Sequence, residues 1–414
     1  MSHKPAGVAE IGKALMRPFA LGQEYSKLWG GQTLSALTDN ITAMALSILV
    51  LQRTGSATAA SVGLLLQMIP ALVFGPVAGV ILDRVQRKSV LVVSDMSRAL
   101  VGLYAAYALH TEAFGLIHVY GWMTVNGIVR AFYDPATNAL IPALVDKESI
   151  QRANAVHTLG KNTAMILGPA IGGFTLSDLG GFWTLALGST VFAVSSLLVG
   201  AIKPVYEDAV QPAAKRPSLG EAAEGFRFYR EVPLAMGLLI MAVLVNLCTM
   251  PVGLAFQYHF LRVLKVGSDV LGLGFSVAAV ASFVASYLMA MRGRWPRLGL
   301  TMASGIGVMA LSFGALGMSR SVLQAFIAFV LFGASTPFIQ VPMSTLYQEI
   351  TPPDIRGRVF ALRFTVSTFL APVSTPLVGV GLDRIGSAAV LAILAATLGA
   401  VSLGGISARA IREA

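Results

Sequence analysis

Long apolar runs recur along the whole chain, and they constrain its fold more than any other feature. Of the 414 residues, 55% are hydrophobic and 12% are charged, whereas a soluble globular domain usually has about a quarter charged residues. Each run holds the roughly 20 residues that an α-helix needs to cross a bilayer. Backbone polar groups inside lipid must be paired within the protein, which leaves helices as the natural spanning element. The sequence therefore predicts an all-α integral membrane protein surrounded by the lipid bilayer.

Twelve membrane helices can be counted, most of them joined by short connections. They lie near 28–51, 57–82, 89–109, 116–140, 155–177, 182–202, 233–257, 269–291, 298–318, 321–346, 359–382 and 387–408. One connection is longer and more polar, with prolines and charges of both signs, which is typical of a cytoplasmic linker. The predicted organisation is a tail at 1–27, a six-helix bundle at 28–202, the linker at 203–232, a second six-helix bundle at 233–408 and a tail at 409–414.

The basic residues predict the orientation of the chain in the membrane. With the N-terminus inside, 22 of the 30 Lys and Arg residues fall on the inner side and five on the outer side. This bias is the one that the positive-inside rule requires, so both termini are expected in the cytoplasm. The net charge of +10 therefore reflects topology, and no nucleic-acid partner is expected.

The sequence contains no pattern that favours an enzyme. There is no Gly-x-x-x-x-Gly-Lys-Ser/Thr phosphate-binding loop, which argues against direct coupling to ATP. The only cysteine, Cys248, excludes an internal disulfide and a cysteine-based metal cluster. We expect no cofactor, and a proton gradient as the source of energy.

The two predicted bundles show weak internal repetition. Asp134-Pro135-x-x-Asn138 in helix 4 corresponds to Thr336-Pro337-x-x-Gln340 in helix 10. The offset is about half the chain, as expected for two parallel repeats related by an axis normal to the membrane.

A short charged loop follows the second apolar run. Asp83 lies at the C-terminal end of a helix, where the helix dipole is already negative, so its carboxylate needs a positive partner. The spacing Gly79-x-x-x-Asp83-Arg84-x-x-Arg87-Lys88 resembles the signature loop of the major facilitator superfamily of secondary transporters. The resemblance implies two pseudo-symmetric six-helix bundles that rock around a central cavity. It also implies an inner gate, in which this loop latches against the start of helix 11.

The loop before helix 11 carries a second resemblance. Arg356-Gly357-Arg358 and its surroundings are similar to the branch that holds macrolide-efflux and enterobactin-export permeases, and so is Trp29-Gly30-x-Gln32 in helix 1. Because Arg356, Arg358 and Arg363 surround the start of helix 11, they are candidates to compensate Asp83 in the inner gate.

Helix 5 contains a cluster of small residues around a proline. Gly168-Pro169-x-x-Gly172-Gly173 resembles the antiporter motif of the drug-exporting branches, which would favour export. The alternative is a helix-packing face of a kind found in many membrane proteins, because small residues let helices approach closely.

Five ionisable residues within helices are candidates for coupling or for structural pairing. Asp39 lies midway along helix 1, where a carboxylate must face a partner or a water-filled cavity. It either binds a proton or another cation near the substrate path, or it is a structural residue that is hydrogen-bonded to a neighbouring helix. Arg130 and Asp134 lie one turn apart on helix 4 and could pair with each other or tune protonation. Asp95 and Arg98 on helix 3 are expected to pair with each other or with the inner loop, in a structural role.

Helices 1, 4, 5, 7, 10 and 11 are expected to line the substrate cavity. The candidate aromatic contacts are Phe132, Tyr133, Phe256 and Phe338, and the candidate polar contacts are Asn40, Asn126, Asn246 and Gln340. Cys248 and the methionines of helix 7 leave a transition-metal path open as an alternative, because these are soft ligands.

Together these features favour a monomeric transporter in the bacterial inner membrane that exports hydrophobic or amphipathic small molecules by proton antiport. A lysophospholipid flippase and a siderophore or metal exporter are alternatives on the same fold. A non-transporting membrane sensor is the alternative from a different class of protein.

The inner gate generates a direct prediction. Asp83→Asn should leave the protein folded and inserted but impair its cycling, because the amide lacks the charge that the gate compensates. Membrane insertion and transport of the same variant test this, and transport at the wild-type rate by a stably inserted Asp83→Asn would contradict the proposed role.

Overall fold

The fold is described from a computed structural model, and the description covers residues 21–82, 85–111, 113–203, 226–292, 295, 297–352, 355–369 and 371–412. Within these ranges the chain is helical with short turns and contains no strand. The all-α prediction is confirmed.

The helices follow the predicted apolar runs closely. In the first half they are α1 Gln23–Thr54, α2 Ala57–Leu82, α3 Arg87–His110, α4 Leu116–Leu144, α5 Ile150–Asp178 and α6 Gly180–Gly200. In the second half they are α7 Pro233–Val263, α8 Ser268–Arg292, α9 Leu298–Met318, α10 Val322–Ile350, α11 Arg356–Phe369 with 371–385, α12 387–407 and the short α13 Arg409–Arg412.

Helix α7 is irregular, and a glycine forms the boundary between α11 and α12. In α7 the regular helix Pro233–Thr249 is followed by Pro251, which lacks a backbone N–H, and the last turn, His259–Val263, is a π-helix. Gly386 separates α11 from α12 because its φ of 77° and ψ of 169° are not helical, a conformation that glycine adopts without steric cost.

Nine helical segments in the described ranges are long and apolar enough to cross a membrane. One of them, Arg356–Ser407, has 52 residues, which is enough for two crossings. The helices α4 and α5 are not among the nine, but each has 29 residues and so has spanning length. The arrangement is consistent with twelve crossings.

Contacts between Cα atoms divide the chain into two compact units. The first unit contains 1–54, 62–213 and 268–272, and the second contains 55–61, 214–267 and 273–414. The main division lies within the predicted linker, and α2 begins in the second unit and continues in the first.

In the first unit, α1 packs against α5 and α6, and α3 packs against α6 and α4. Glycines make the contact between α1 and α5 close: a Cβ atom at Gly172 would lie 2.9 Å from the carbonyl oxygen of Ile41, and one at Gly168 would overlap the side chain of Asn40. Gly173 lies against the backbone of Ser268, at the start of α8. The small residues around Pro169 in α5 therefore form a packing face, which is the structural alternative given for this motif.

In the second unit, α9 packs against α10 and α12, and α7 packs against α11. An aromatic cluster fills the interior around Phe256, which is 1% exposed. Its ring contacts Phe275, Phe313, Phe329 and Phe332 at centroid distances of 4.9–6.2 Å. The structure thus places Phe256 in the core of this unit, although the sequence suggested it as a cavity contact.

Candidate functional site

A buried cluster of three charged side chains lies inside the first unit. We call Asp39 of α1 with Asp95 and Arg98 of α3 the charge triad. Arg98 Nη1 lies 2.7 Å from Asp39 Oδ2, and Arg98 Nη2 lies 2.9 Å from Asp95 Oδ1. One guanidinium therefore serves two carboxylates. Asp95 and Arg98 pair as the sequence predicted, and the additional ion pair with Asp39 joins α3 to α1.

Two aromatic rings hold the guanidinium of Arg98 in place. Its Cζ atom lies 4.4 Å from the ring centroid of Tyr133 on α4 and 4.9 Å from that of Phe192 on α6. A cation over a ring face is attracted electrostatically, more strongly where water is excluded. Arg98 is 1% exposed, so these contacts hold the guanidinium in place and stabilise its positive charge.

Hydroxyl groups from three helices converge on Asp95. Ser35 on α1 donates to Oδ1 at 2.9 Å, and Ser195 on α6 and Tyr133 on α4 donate to Oδ2 at 2.6 Å and 3.1 Å. Together with Arg98 they offer the carboxylate four positive or donating partners. Hydrogen bonds of this kind favour the ionised form of a carboxyl group, whereas burial away from water disfavours it.

Asp39 has a different environment. Its Oδ2 accepts from Arg98 and its Oδ1 accepts from Asn126 Nδ2 at 2.8 Å. The amide oxygen of Asn126 in turn accepts from Gln67 on α2 at 3.4 Å. The side chain of Asp39 is 18% exposed, whereas that of Asp95 is fully buried. Asp39 is therefore the carboxylate of the triad that a proton or a ligand can reach.

The other predicted coupling residues lie outside the triad. Asp134 Oδ1 pairs with Lys161 Nζ of α5 at 2.8 Å, and both side chains are nearly half exposed. Arg130 is exposed. The pair that the sequence suggested within α4, Arg130 with Asp134, is thus replaced by one between α4 and α5, because the side chain of Lys161 reaches the same carboxylate.

Sequence reasoning missed the contact between Asp39 and Arg98. Both residues had been singled out, and a carboxylate in the middle of α1 requires a positive partner. The structural alternative for Asp39, a hydrogen bond to a neighbouring helix, does not identify which helix or which residue provides the partner. The sequence signal that could have identified this contact is Arg98, an arginine inside a membrane helix three residues from its acidic partner Asp95.

The basic residues predicted for the inner gate bind the ends of nearby helices. Arg87 donates to the carbonyl of Ala139 at 3.3 Å, and Lys88 donates to the carbonyl of Ile202 at 2.6 Å, just beyond the end of α6. Positive charge at a helix C-terminus is favourable. Asp83 and Arg84 lie outside the described residues, so their part in the gate stays a prediction; for Gly79 only its place within α2 is described.

On the other side of the predicted gate, Arg356 donates to the carbonyls of Gln348 and Thr351, at 3.0 Å and 3.3 Å. The guanidinium of Arg363 lies 4.8 Å from the ring centroid of Tyr347. These contacts tie the start of α11 to the end of α10. Arg358 lies in the same helical turns of α11.

An apolar groove with a volume of about 630 Å³ lies between α8 and α10 of the second unit. We call it the α8–α10 groove. Ten of its eleven lining residues are apolar; they include Val280, Val284, Leu288 and Phe338, and the remaining one is Ser276. Its size is that of a pocket for a drug-sized molecule. The structure therefore places Phe338 where a small molecule could contact it.

The remaining candidate contacts are more scattered. Asn126 and Tyr133 belong to the network around the triad. Asn40 donates to the carbonyl of Ala36 in its own helix at 2.8 Å, and the candidates Phe132, Asn246 and Gln340 are partly or fully exposed. Among the described residues no group of three His, Cys, Asp or Glu side chains could hold a metal ion, and Cys248 is buried.

Membrane-spanning helices with a hydrogen-bonded ionisable cluster in their interior are typical of transporters. Residues 28–376 match the family model of the Major Facilitator Superfamily. The chain belongs to this superfamily and is a multi-pass membrane transporter, which confirms the family indicated by the loop after α2.

Two curated relatives extend the comparison. Macrolide efflux protein A of Streptococcus pyogenes is 26% identical over 375 residues, covering 88% of this chain and 90% of that protein. The multidrug efflux pump Tap of Mycobacterium bovis (strain BCG / Pasteur 1173P2) is 27% identical over 413 residues, covering 92% of each. The crystal structure of a point mutant of the nucleoside transporter NupG matches with a TM-score of 0.72 at 13% identity, over 93% of this chain and 99% of that one. This last likeness concerns the fold alone.

The triad generates a stability prediction. Arg98→Ala would leave two carboxylates facing each other in the interior, and breaking a buried pair in this way costs about 3–5 kcal/mol. We expect little folded protein, or a clear loss of thermal stability in detergent. Adding Asp95→Asn to Arg98→Ala should restore part of the stability, because it removes one of the two uncompensated charges.

Arg130→Ala is the matched control, since Arg130 is an exposed arginine on a helix of the same unit. The thermal stability of all three variants in detergent is measured by size-exclusion chromatography. Equal stability of Arg98→Ala and Arg130→Ala would contradict the structural role of the triad.

Proposed function

We propose that this transporter exports hydrophobic or amphipathic small molecules from a bacterial cell by proton antiport, with Asp39 as the proton-binding group. Membership of the family favours alternating access in the inner membrane as the general mechanism. The names of the two curated relatives favour efflux as the direction and small drug-like molecules as the substrates. The observation that carries the coupling is the unequal environment of the two carboxylates of the triad.

The charge balance of the triad explains how a proton could be coupled. With both carboxylates ionised, two negative charges face the single positive charge of Arg98. An uncompensated charge inside a membrane protein is costly, so the surplus must be met by a proton or by a cationic group. Asp95 is saturated with donors, and Asp39 is partly accessible. We therefore assign the proposed coupling role to Asp39, the carboxylate of the triad that solvent reaches.

Protonation of Asp39 would change the contacts of Arg98. A neutral carboxyl group attracts the guanidinium less strongly than a carboxylate does, so Arg98 would then be balanced by Asp95 alone. The ion pair between α1 and α3 would weaken, while the pair within α3 would remain. Loading and release of a proton would in this way alter the packing of α1, the helix whose other face meets the glycines of α5.

The α8–α10 groove supports the apolar character of the substrate. Its walls are almost entirely aliphatic, so binding there would rest on apolar contact and would tolerate molecules of different shape. The apolar part of an amphipathic substrate is the occupant that fits it. A lysophospholipid has a similar apolar part, and lipid flipping is the second candidate that this groove favours.

Asp39→Asn tests the coupling. In proteoliposomes with a proton-sensitive dye, addition of the transported substrate should move protons through the wild type and not through Asp39→Asn, because the amide cannot bind the proton. The substrates to compare are a macrolide, a fluorescent lysolipid and an iron-free siderophore. Asp134→Asn is the control, since it removes a carboxylate from the half-exposed pair with Lys161 and should leave proton movement intact.

The outcomes separate the candidate functions. Proton movement with the macrolide alone supports drug export, and movement with the lysolipid or the siderophore assigns those substrates instead. Substrate transport by folded Asp39→Asn with undiminished proton movement would refute the role of Asp39.

Val280→Trp tests the groove. Val280 is 63% exposed and lines the α8–α10 groove, so an indole at this position should occupy part of the volume. We expect the KM for a bulky apolar substrate to rise about tenfold, equivalent to about 1.4 kcal/mol, with the proton-to-substrate ratio unchanged. Leu311→Trp on α9 is the control, because Leu311 is 68% exposed and does not line the groove. Equal KM values for the two variants would exclude the groove as a binding site.

A further inference from the structure

The carboxylate of Asp383, near the end of α11, accepts four hydrogen bonds from Ser56 and the first two residues of α2. The backbone N–H groups of Ala57 and Thr58 donate at 2.7 Å and 2.9 Å, and the hydroxyls of Ser56 and Thr58 each donate at 2.7 Å. The first N–H groups of a helix have no partner within the helix, and the helix dipole is positive at this end. Asp383 therefore acts as an N-cap supplied by a residue more than 300 positions away.

The face of α11 that carries Asp383 lies very close to α2. Gly379 precedes Asp383 by one turn on the same face. A Cβ atom at Gly379 would lie 3.0 Å from the carbonyl oxygen of Ala57 and would overlap the hydroxyl of Ser61. The backbones of the two helices thus meet at Gly379, and the carboxylate of Asp383 closes the end of this contact.

Helix α7 contacts Gly55, the residue just before Ser56. Gly55 has a φ of +70°, and a Cβ atom there would overlap the guanidinium of Arg262, in the π-helical turn of α7. Residues 55–61 are accordingly part of the second unit, whereas α2 from residue 62 onwards is part of the first. The cap holds the beginning of a helix whose remainder belongs to the other unit.

The residues around Asp383 repeat part of the sequence of the predicted inner gate. Leu382-Asp383-Arg384 has the same order as Leu82-Asp83-Arg84 at the end of α2. The predicted topology places the end of α2 on the inner side and the end of α11 on the outer side. The same three residues therefore end two helices on opposite sides of the membrane.

We propose that Asp383 is the latch of an outward gate. While the carboxylate caps α2, the outer end of that helix is held against α11 and the outward side is closed. Opening to the outside requires the four hydrogen bonds of Asp383 to break and residues 55–61 to leave Gly379. The proposal requires a transporter of this fold but neither a particular substrate nor proton coupling.

Accessibility of a cysteine at Ser61 tests the latch. Ser61 is fully buried and lies against Gly379. In a Cys248→Ala background, Ser61→Cys should react slowly with a membrane-impermeant maleimide added to the outer side of intact cells. Adding Asp383→Ala should raise this labelling rate about fivefold or more, the effect of shifting an equilibrium by at least one kcal/mol.

The control variant and a reporter of unfolding are both available in the chain. Asp269→Ala removes another carboxylate, in the first turn of α8, at a helix end also predicted to face outward; we expect no change in labelling. The native Cys248, which is buried in α7, reports unfolding: its labelling in a chain with Asp383→Ala and without the Ser61 substitution should stay at the wild-type level.

A second variant covers the case in which Asp383→Ala unfolds the protein and both cysteines react. Ser56→Ala combined with Thr58→Val removes the two hydroxyl donors and keeps the carboxylate, so labelling at Ser61→Cys should rise by a smaller factor. An unchanged rate, in Asp383→Ala or, if that variant unfolds, in the hydroxyl variant, would overturn the proposal. Because no substrate is needed, this result is independent of the test of Asp39.

Discussion

The ion pairs of Arg98 are the interaction on which the first unit depends. A charged group inside a membrane protein must be met by opposite charge and hydrogen bonds, and here one guanidinium balances a carboxylate on its own helix and another on α1. The requirement extends outward from the triad, because α4 and α6 supply the rings and hydroxyls that surround it. Five helices, counting α2 through Gln67, contribute to one hydrogen-bonded network. A change in the charge of any member is therefore expected to alter the packing of all five helices.

The same network contains the asymmetry that a coupling site needs. If both carboxylates were equally buried and equally bonded, a proton would have no preferred position. Three hydroxyl donors and Arg98 contact the fully buried carboxylate of Asp95, while Asp39 keeps an accessible edge and the amide of Asn126 as its second donor. Structural and functional interpretations of Asp39 are thus compatible: it joins α1 to α3 through Arg98, and in the proposed coupling it is the group whose protonation weakens this link.

The helices could be predicted because a bilayer imposes length and apolarity on every span, and both are properties of consecutive residues. The partners of the ionisable groups depend on which helices are neighbours, which local spacing does not reveal. The sequence requires Asp39 to face a partner or a water-filled cavity but does not identify Arg98 on another helix. Asp134, likewise, pairs with Lys161 of α5 and not with Arg130 one turn away. Phe256 shows the same limit for apolar residues, since its place in an aromatic core follows from the packing of α7 against three other helices.

The start of α2 has both a local N-cap residue, Ser56, and a contact from a distant residue, Asp383. Ser56 precedes α2 and its hydroxyl accepts from the N–H of Ala59 at 3.2 Å, which is the ordinary contact of an N-cap residue. Asp383 binds the N–H groups of Ala57 and Thr58, which Ser56 does not bind. If the carboxylate leaves, α2 keeps its local cap, and water on the open side can bind the two N–H groups that are released. The first turn therefore has an alternative source of hydrogen bonds when Asp383 is absent, which the proposed gate requires.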